Sequence, residues 1–458
     1  ALPPAPAEPL LCFWQGQAFA VTASAVDAVM HEVASQGRAI AARSAPSSMQ
    51  IKAFKAALIP FPAVTLALES DALAAHLALV PLIRGAGLLL SLVPRASFVS
   101  ASEFRTPLLD SLAALARHRD LVAGHVRDIR DAILQPLTGL LAGGDAETRF
   151  LSLRLASDLV LALAASPEEE PETAALAALL SKCILPRAPA LLSDELPIPV
   201  YTLRLLDTVV ETWPSLVGEL VNLGLLPKLL SFFSVENKLN NVHNVKLIAA
   251  LVASPAVSLA SVHDAALVPS LNAILSYALA NDVAAFFGPL LEVMRALLTR
   301  TINVLLTHMT VASAAEANLS ELPGELPDDV FDLVASNMEL VTSVGSLGRL
   351  LSSSEHAPTA AAVLQLLCKT YGPSLYPQLL KPPLLGQLVA ALTAASSKHL
   401  VLNILKILGW FLESPQARLV ARAADGTLVG LIEELSSHTD ADIAKRGLSV
   451  MGKLLRAG

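Results

Sequence analysis

Side chains that favour strands are scarce in this sequence. Phe, Trp and Tyr together make up only 4% of it, and the β-branched residues are few beside Leu and Ala. A chain with this composition is poorly suited to extended sheets. Leu and Ala are the strongest helix formers among apolar residues, and apolar residues reach 54% of the 458 positions. The composition therefore predicts an all-α fold with a sizeable buried core.

Concentrated positive charge is also missing. Only 16% of the residues are charged, the formal net charge is -8, and the 32 Lys and Arg residues are spread along the chain. A nucleic-acid-binding protein needs a basic face that neutralises phosphates, and a peripheral membrane protein often carries a polybasic anchor. We therefore expect neither nucleic acid nor a membrane surface among the partners.

Cysteine is rare, with Cys12, Cys183 and Cys368 lying far apart and no CxxC among them. This number and spacing predict neither a disulfide framework nor a thiolate metal site. We interpret the three residues as reduced, buried thiols of a protein in a reducing compartment.

No long apolar run is free of charge and helix breakers, although the mean hydropathy is +0.58. The most apolar stretch, residues 73–93, contains Pro81 and has Arg84 near its middle. An Arg at the centre of a bilayer costs about 3 kcal/mol, so we interpret the stretch as buried helices. No signal peptide is predicted, and the absence of a Met before Ala1 suggests a piece of a longer protein.

Catalytic motifs are absent or incomplete. His118-Arg119-Asp120 spells the HRD of a kinase catalytic loop, but His125 stands where that loop needs a magnesium-binding Asn. Gly85-Ala86-Gly87 does not extend to GxGxxG, and there is no GxSxG or HExxH. His118 and His125 alone are a weak metal signal. We predict no catalytic residue, cofactor or metal, and a non-enzyme; an unfamiliar all-α active site would need titratable groups that converge in one pocket.

What the chain does have is a repeated pattern in which a small residue or Pro precedes a Leu-rich helix. The copies are residues 224–229, 266–271, 383–388 and 426–431, with a degraded copy at 132–137. A second helix family, apolar on more than one face, recurs between these markers at residues 200–206, 242–251, 361–367 and 402–408. Helices buried between neighbours show such a pattern.

The copies recur every 42 to 43 residues, as from 224 to 266 and from 383 to 426. This is the armadillo/HEAT range, whereas ankyrin and tetratricopeptide repeats are about ten residues shorter. The period predicts a right-handed α-α superhelix, an armadillo/HEAT-like solenoid, with a non-repetitive helical bundle as the alternative.

Composition shifts divide the chain further. We predict a Pro-rich extended segment (1–16), irregular N-terminal helical repeats (17–104), repeats with an acidic loop at 166–173 (105–311), a polar insertion loop (312–329) and C-terminal repeats (330–458).

One basic run stands out, formed by Arg117, Arg119, Arg127 and Arg130 and interleaved with Asp residues. Mixed charges on a helix are typical of an exposed, salt-bridged surface. The alternative is a docking patch for an acidic partner such as a tubulin tail.

For two further features, a cluster of Asn residues and two Trp residues, we weigh a structural role against a ligand-binding role. The Asn residues of 237–244 cluster before a helix, which favours helix capping over a ladder of ligand-binding amides. Trp213 and Trp410 are predicted at helix ends, where we favour core packing over peptide binding.

Residues 147–155 (ETRFLSLRL), 199–206 (PVYTLRLL) and 219–232 (ELVNLGLLPKLLSF) carry a family resemblance. In order and spacing they resemble the C-terminal armadillo-repeat region of the Unc-fifty-one-like kinase four family, a Fused-related pseudokinase family with Runkel as its plant relative. The resemblance is strongest over residues 108–254 and looser to 458. Fused kinase itself has a similar layout and stays an open alternative.

The resemblance implies a kinase-like domain elsewhere in the full protein and a repeat array that binds proteins. It implies partners of the microtubule cytoskeleton or cilium, with a Fused-like kinase as one candidate. We therefore expect a non-catalytic scaffold that docks microtubule-associated or axonemal proteins, cytoplasmic and located at the cytoskeleton and the cilium or flagellum axoneme. The alternative is a general armadillo/HEAT adaptor for transport or a regulatory complex.

Overall fold

The computed structural model describes residues 10–14, 17–43, 45–143, 145–164, 170–258, 267–307, 327–380, 383–423 and 427–456. They form two compact units, Ala1–Leu223 and Gly224–Gly458. This division falls inside the block 105–311 that the sequence predicts as continuous. Gly224 has a φ of 67°, in the left-handed region that glycine adopts without steric cost, directly before a helix.

The first unit begins with two strands and continues with helices. The strands are Leu10–Trp14 and Gln17–Val21; the α-helices are Ala23–Ala41, Ser48–Leu58, Pro62–Glu69, Asp71–Ala74, Leu79–Leu92, Arg105–Arg117, Arg119–Ala123, Val126–Ile129, Gln135–Leu140, Ala146–Ala164, Glu170–Leu179, Ala188–Leu191, Ile198–Thr212 and Val217–Asn222. Single π-helical turns occupy Arg130–Leu134 and Leu180–Ile184, and 3₁₀ turns occupy Val93–Arg95, Leu185–Arg187 and Pro214–Leu216.

All regular secondary structure in the described residues of the second unit is helical. Its α-helices are Leu225–Phe232, Val242–Ala253, Leu267–Ala280, Phe287–Thr307, Asp328–Asn337, Val344–Leu350, Ala357–Tyr371, Tyr376–Leu379, Leu384–Thr393, Lys398–Phe411, Pro415–Ala423, Thr427–Ser436 and Ala441–Leu455. Ala284–Phe286, Met338–Ser343 and Gly372–Leu375 are 3₁₀ turns.

The strands form an antiparallel hairpin, with Leu10 opposite Val21 and Trp14 opposite Gln17. The sequence places Gln17–Val21 at the start of the helical repeats, so that prediction is wrong. Overall composition hides this local cluster of Phe, Trp and Val, which favours a strand once a neighbouring strand supplies backbone hydrogen bonds.

One layer of helices is a stack in which each member packs against the next. In the first unit its members are Pro62–Glu69, Arg105–Arg117, Ala146–Ala164 and Ile198–Thr212; in the second they are Val242–Ala253, Phe287–Thr307, Ala357–Tyr371, Lys398–Phe411 and Ala441–Leu455. Most members start 41 to 45 residues after the previous one. The two longer steps contain the polar segments at 166–173 and 312–329.

The second layer is formed by the helices that the repeat markers predict. Helices begin at Leu225, Leu267, Leu384 and Thr427, directly at the four markers. Within the second unit, Leu267–Ala280 packs against Val344–Leu350, which packs against Leu384–Thr393. Stacked helix pairs of this kind confirm the all-α armadillo/HEAT-like fold class, and the non-repetitive bundle is wrong.

The stacked layer supplies most of the core. In Lys398–Phe411, Ile404, Leu405, Ile407 and Leu408 are all fully buried, and the helix packs against Ala357–Tyr371, Leu384–Thr393 and Ala441–Leu455. Such a helix contacts neighbours on several sides, as its sequence predicts. Burying one Leu or Ile side chain stabilises the fold by about 1.5–3 kcal/mol.

The stretch 73–93 lies in the packed structure as predicted, because eight residues of Leu79–Leu92 are buried. By length and composition alone, two other helical stretches, Ser48–Glu69 and Glu172–Leu191, are apolar enough to cross a membrane. The expectation that membranes are not partners therefore stays a prediction.

The two predicted polar loops are shorter than expected at their C-terminal ends. Helices begin at Glu170 and at Asp328, so residues 170–173 and 328–329 are helical. The helix dipole stabilises acidic residues in the first helical turn. These acidic residues therefore begin a helix instead of extending the loop. Residues 165–169 and 308–326 lie outside the described part of the chain.

Gly87 tests how tightly Leu79–Leu92 packs against the π-helical turn Arg130–Leu134 in the first unit. A Cβ atom at this position would collide with the backbone carbonyl of Ala132, whereas one at Gly139 would meet nothing within 4 Å. We expect Gly87→Ala to lower the free energy of unfolding by about 1–3 kcal/mol, measured by urea denaturation. Gly139→Ala is the matched control and should leave stability unchanged or raise it by up to about 1 kcal/mol. Equal stability of the two variants would contradict the packing described.

Candidate protein-interaction surface

Ion pairs of the first unit join neighbouring repeats. Their partners are mostly 40 to 48 residues apart along the chain, which is one repeat. The pairs are Arg84–Asp128, Arg105–Asp145, Arg105–Glu147, Arg117–Glu69, Arg127–Glu172, Arg130–Glu172, Arg149–Asp194 and Arg204–Asp158. Much of the charge on this unit is therefore used to connect repeats.

The block 147–155, which carries the family resemblance, contains the best-formed of these pairs. Arg149 donates from Nε and Nη2 to the two carboxylate oxygens of Asp194, at 2.6 and 2.8 Å. These hydrogen bonds lower the pKa of Asp194. Phe150 packs edge-to-face on Tyr201 of the YTLRLL block, with ring centroids 5.3 Å apart. Both blocks thus make contacts between repeats.

Asp145 combines a helix cap with an inter-repeat ion pair. It precedes the helix Ala146–Ala164, and its Oδ1 accepts from the backbone N–H of Thr148 at 2.8 Å. Its Oδ2 accepts from Arg105 of the preceding repeat at 2.6 Å. Partial burial opposes ionisation, but the hydrogen bonds from Thr148 and Arg105 outweigh it and lower the pKa of Asp145 to about 2.

Three of the four arginines singled out in the sequence are in ion pairs. Arg117 reaches Glu69 at 3.3 Å, and Arg127 and Arg130 share Glu172. Arg119 is exposed and has no ion-pair partner among the residues the structure describes. The salt-bridged interpretation is confirmed for Arg117, Arg127 and Arg130, and the docking role of the four stays a prediction.

The HRD-like tripeptide has a structural role. The ring of His118 contacts the backbone carbonyl of Leu68 at 2.5 Å and the carboxylate of Asp71 at 3.4 Å, which ties it to the preceding repeat. Within the described ranges, no three His, Cys, Asp or Glu side chains come together as metal ligands would. Cys183 and Cys368 are free thiols. Cys368 is buried as predicted, and burial raises its pKa to about 12, whereas Cys183 is only half-buried.

Most of the Asn and Trp interpretations hold. Asn241 caps the helix Val242–Ala253 by accepting from the N–H of Asn244. Asn244 is itself buried and donates to the carbonyl of Leu229 at 3.3 Å. Trp213 is 7% exposed and belongs to the core. Trp410 is only half-buried, so core packing describes it incompletely.

A set of unpaired cations in the second unit was not predicted. Lys369, Lys406 and Arg446 lie on the consecutive stacked helices Ala357–Tyr371, Lys398–Phe411 and Ala441–Leu455. We call them the cation stripe. Their spacings of 37 and 40 residues approximate one repeat, which is the signal that a search for charge at the repeat period would have found.

A cavity of about 250 Å³ lies in the first unit, lined in part by Lys55, Leu58, Ile59 and Glu103. Its two charged residues form an ion pair at 3.8 Å. It is smaller than the usual binding site of a small molecule and holds no convergent catalytic groups. The exposed helix surfaces are therefore the better candidate site.

Two family models match the chain. The model described as "Serine/threonine-protein kinase ULK4-like, HEAT repeats" matches residues 25–218, and the model described as "RUNKEL ARM-repeat domain" matches residues 225–424. Both models describe repeat domains. The position between the two matches coincides with the division between the two structural units.

Curated relatives agree with the models. The chain is 27% identical over 256 residues to the serine/threonine-protein kinase RUNKEL of Arabidopsis thaliana, covering 55% of this chain and 18% of that protein. It is 32% identical over 124 residues to the serine/threonine-protein kinase ULK4 of Mus musculus, covering 26% of this chain and 10% of that protein. The aligned part thus spans less than a fifth of either relative.

Among solved structures, the crystal structure of an engineered protein matches with a TM-score of 0.58 at 17% identity. The match covers 93% of this chain and all of the engineered one. At this identity the likeness shows the fold alone, and it agrees with a helical repeat architecture.

The basic run contains arginines in ion pairs and one, Arg119, without an ion-pair partner among the described residues. Substituting one of each kind tests this assignment. We expect Arg130→Ala to lower the unfolding temperature by about 2–4 °C, because Arg130 is largely buried and its charge is paired with Glu172. Arg119→Ala is the control and should leave that temperature unchanged, since the side chain is exposed. Thermal denaturation followed by circular dichroism measures both. A larger effect at Arg119 would contradict the assignment.

The lowered pKa of Asp145 predicts a specific acid sensitivity. Its folded-state pKa of about 2 lies below the ordinary value of 3.8, so the ionised carboxylate stabilises the fold above pH 4. That contribution is lost as pH falls from about 4 to about 2. In urea denaturation between pH 2 and 7, Asp145→Asn should be less stable at neutral pH and should lose less stability over that acidic interval. Parallel pH profiles for the variant and the unmodified protein would refute the assignment.

Proposed function

We propose that this chain, which is a ULK4- and RUNKEL-like armadillo/HEAT repeat region, works as a non-catalytic protein-interaction scaffold. The proposal rests on one observation. Each stacked helix turns one side away from the core, and these outward-facing sides follow one another along the stack. In Lys398–Phe411, for example, Leu402, Asn403, Lys406 and Trp410 face outward while the intervening positions are buried. Repeat arrays bind partners through surfaces continued from one repeat to the next.

The distribution of titratable groups supports a non-catalytic role. Three carboxylates whose pKa is lowered, Asp145, Asp194 and Glu172, each face an arginine of a neighbouring repeat. Catalytic sites instead gather several perturbed groups in one cavity. These pairs are structural in character.

Uncovered apolar side chains at the end of the second unit also fit a scaffold. Leu419, Leu448 and Leu455 are each at least 60% exposed on the helices Pro415–Ala423 and Ala441–Leu455. Leu448 and Leu455 lie two turns apart on one face of a single helix, and exposed apolar groups that lie together mark surfaces for protein contacts.

We further propose that the partners belong to the microtubule cytoskeleton or the ciliary axoneme, with a Fused-like kinase as one candidate, and that the protein is located there. This proposal rests on the resemblance carried by residues 147–155 and 199–206. The exposed Arg119 provides one positive charge for an acidic tubulin tail.

A general armadillo/HEAT adaptor is the second candidate, and one observation favours it. Asn403 and Trp410 lie on the same outward stripe of one helix, and the amide of Asn403 has no hydrogen-bond partner among the described residues. An unpaired amide and an indole ring two helical turns apart on one stripe suit the backbone and side chains of a bound peptide.

Co-sedimentation of the whole chain with stabilised microtubules tests the cytoskeletal proposal. We expect the protein to pellet with microtubules, less so after proteolytic removal of the acidic tubulin tails and less so for Arg119→Glu. Arg295→Glu serves as the charge-matched control, because Arg295 lies in the second unit. Protein that stays in the supernatant, together with affinity capture from ciliated cells that recovers only transport receptors, would favour the general adaptor.

A further inference from the structure

We infer that the cation stripe of Lys369, Lys406 and Arg446 is a binding site for an extended acidic peptide whose carboxylates recur at about every third residue. The inference rests on the proposed scaffold function and names a class of partner for one surface of it. It does not depend on the cytoskeletal partners proposed above.

The three cations share one surface of the stacked layer. Ala357–Tyr371 packs against Lys398–Phe411, which packs against Ala441–Leu455. Lys369 and Lys406 are half-exposed and Arg446 is exposed, while the positions opposite Lys369 and Lys406 on their helices are buried. The stripe therefore crosses three consecutive repeats and remains open to solvent.

Two other lysines on these helices, Lys398 and Lys453, form ion pairs between repeats. Lys398 lies 2.8 Å from Asp440 and 2.7 Å from Asp442, and Lys453 lies 2.9 Å from Glu413. Each of these three acids therefore faces a cation outside the stripe. Among the residues that the structure describes, Lys369, Lys406 and Arg446 have no ion-pair or hydrogen-bond partner.

The stripe is electrostatically unfavourable in the free protein. Burial, and then the positive charges of Arg446 and Lys369, lower the pKa of Lys406. Both neighbours are thus close enough to repel its charged form. Because a carboxylate placed between these cations removes the repulsion, an acidic ligand gains more here than at an isolated surface lysine.

The repeat geometry sets the spacing of the ligand. Packed helices lie about 8–10 Å apart, so successive cations are separated by about that distance across the stack. An extended peptide advances about 3.3 Å per residue, so carboxylates three residues apart lie about 10 Å apart and meet successive cations.

Asn403 favours an extended ligand over a helical one. It lies one helical turn before Lys406 on the same stripe, and its side-chain amide is free to donate and accept. An extended peptide leaves its backbone N–H and C=O groups available for such an amide, whereas a helix uses them internally. The structure thus offers a charge ladder and a backbone contact together.

Fluorescence anisotropy with two synthetic peptides tests the inference on the whole chain. One peptide repeats Glu-Gly-Ser four times, and the other has the same composition with its four Glu residues grouped at one end. At physiological salt we expect the spaced peptide to bind about tenfold more tightly than the grouped one. Lys406→Gln should weaken binding of the spaced peptide about tenfold, and added salt should weaken it further.

Neighbouring residues on one helix supply the matched control. Arg446→Gln should weaken binding, whereas Lys445→Gln should not, although both side chains are exposed and both changes remove one positive charge. Circular dichroism at equal concentration shows whether each variant is folded.

Three outcomes would overturn the inference. They are equal binding of the two peptides, equal effects of Arg446→Gln and Lys445→Gln, and tighter binding of a single-stranded RNA of equal charge than of the spaced peptide. If the peptides fail while microtubule binding or partner capture persists, only this inference is lost. Loss of both would remove the scaffold proposal as well.

Discussion

The structure depends on one constraint, which is that no repeat can bury its own apolar helices. Leu153 on Ala146–Ala164 and Leu203 on Ile198–Thr212 are both fully buried, and each owes its burial to the adjacent helices of the stack. A single helix pair would expose these side chains and lose about 1.5–3 kcal/mol for each of them. Stability is therefore a sum of nearest-neighbour interfaces, as in other repeat proteins.

The same constraint determines where charge is found. Stacking brings charged residues of successive repeats close to each other. In the first unit a carboxylate of one repeat lies beside an arginine of another, as in Arg149–Asp194 and Arg105–Asp145. These ion pairs align the repeats, and their charges are neutralised within the fold. The cation stripe departs from this rule, because its three cations have no ion-pair partner among the residues that the structure describes. A surface that keeps unbalanced charge is better explained by a partner than by the fold.

Much of the fold could be predicted from the sequence, because the constraint leaves a periodic signature. Small residues or Pro at 224, 266, 383 and 426 mark helix starts that the structure confirms. The hairpin Leu10–Val21 and the division at Gly224 could not be predicted, since each depends on contacts that composition averages away. The basic run is visible in the sequence, but its ion pairs are not. Arg117 and Arg127 form a conspicuous part of the basic run in the sequence, but their partners Glu69 and Glu172 lie a repeat away, so the pairing becomes visible only after folding. Lys369, Lys406 and Arg446 recur at nearly the repeat period in the sequence, but only the structure shows that they have no ion-pair partner among the described residues.

Nearest-neighbour stacking is tested most directly by a cavity in one repeat, read out by hydrogen exchange across the chain. Leu153→Ala removes a fully buried side chain from the helix between Arg105–Arg117 and Ile198–Thr212. We predict faster amide exchange in Ala146–Ala164 and in both flanking helices, with no change in Lys398–Phe411 or Ala441–Leu455 of the second unit. Faster exchange confined to the mutated helix, or spread evenly over the described chain, would contradict the account.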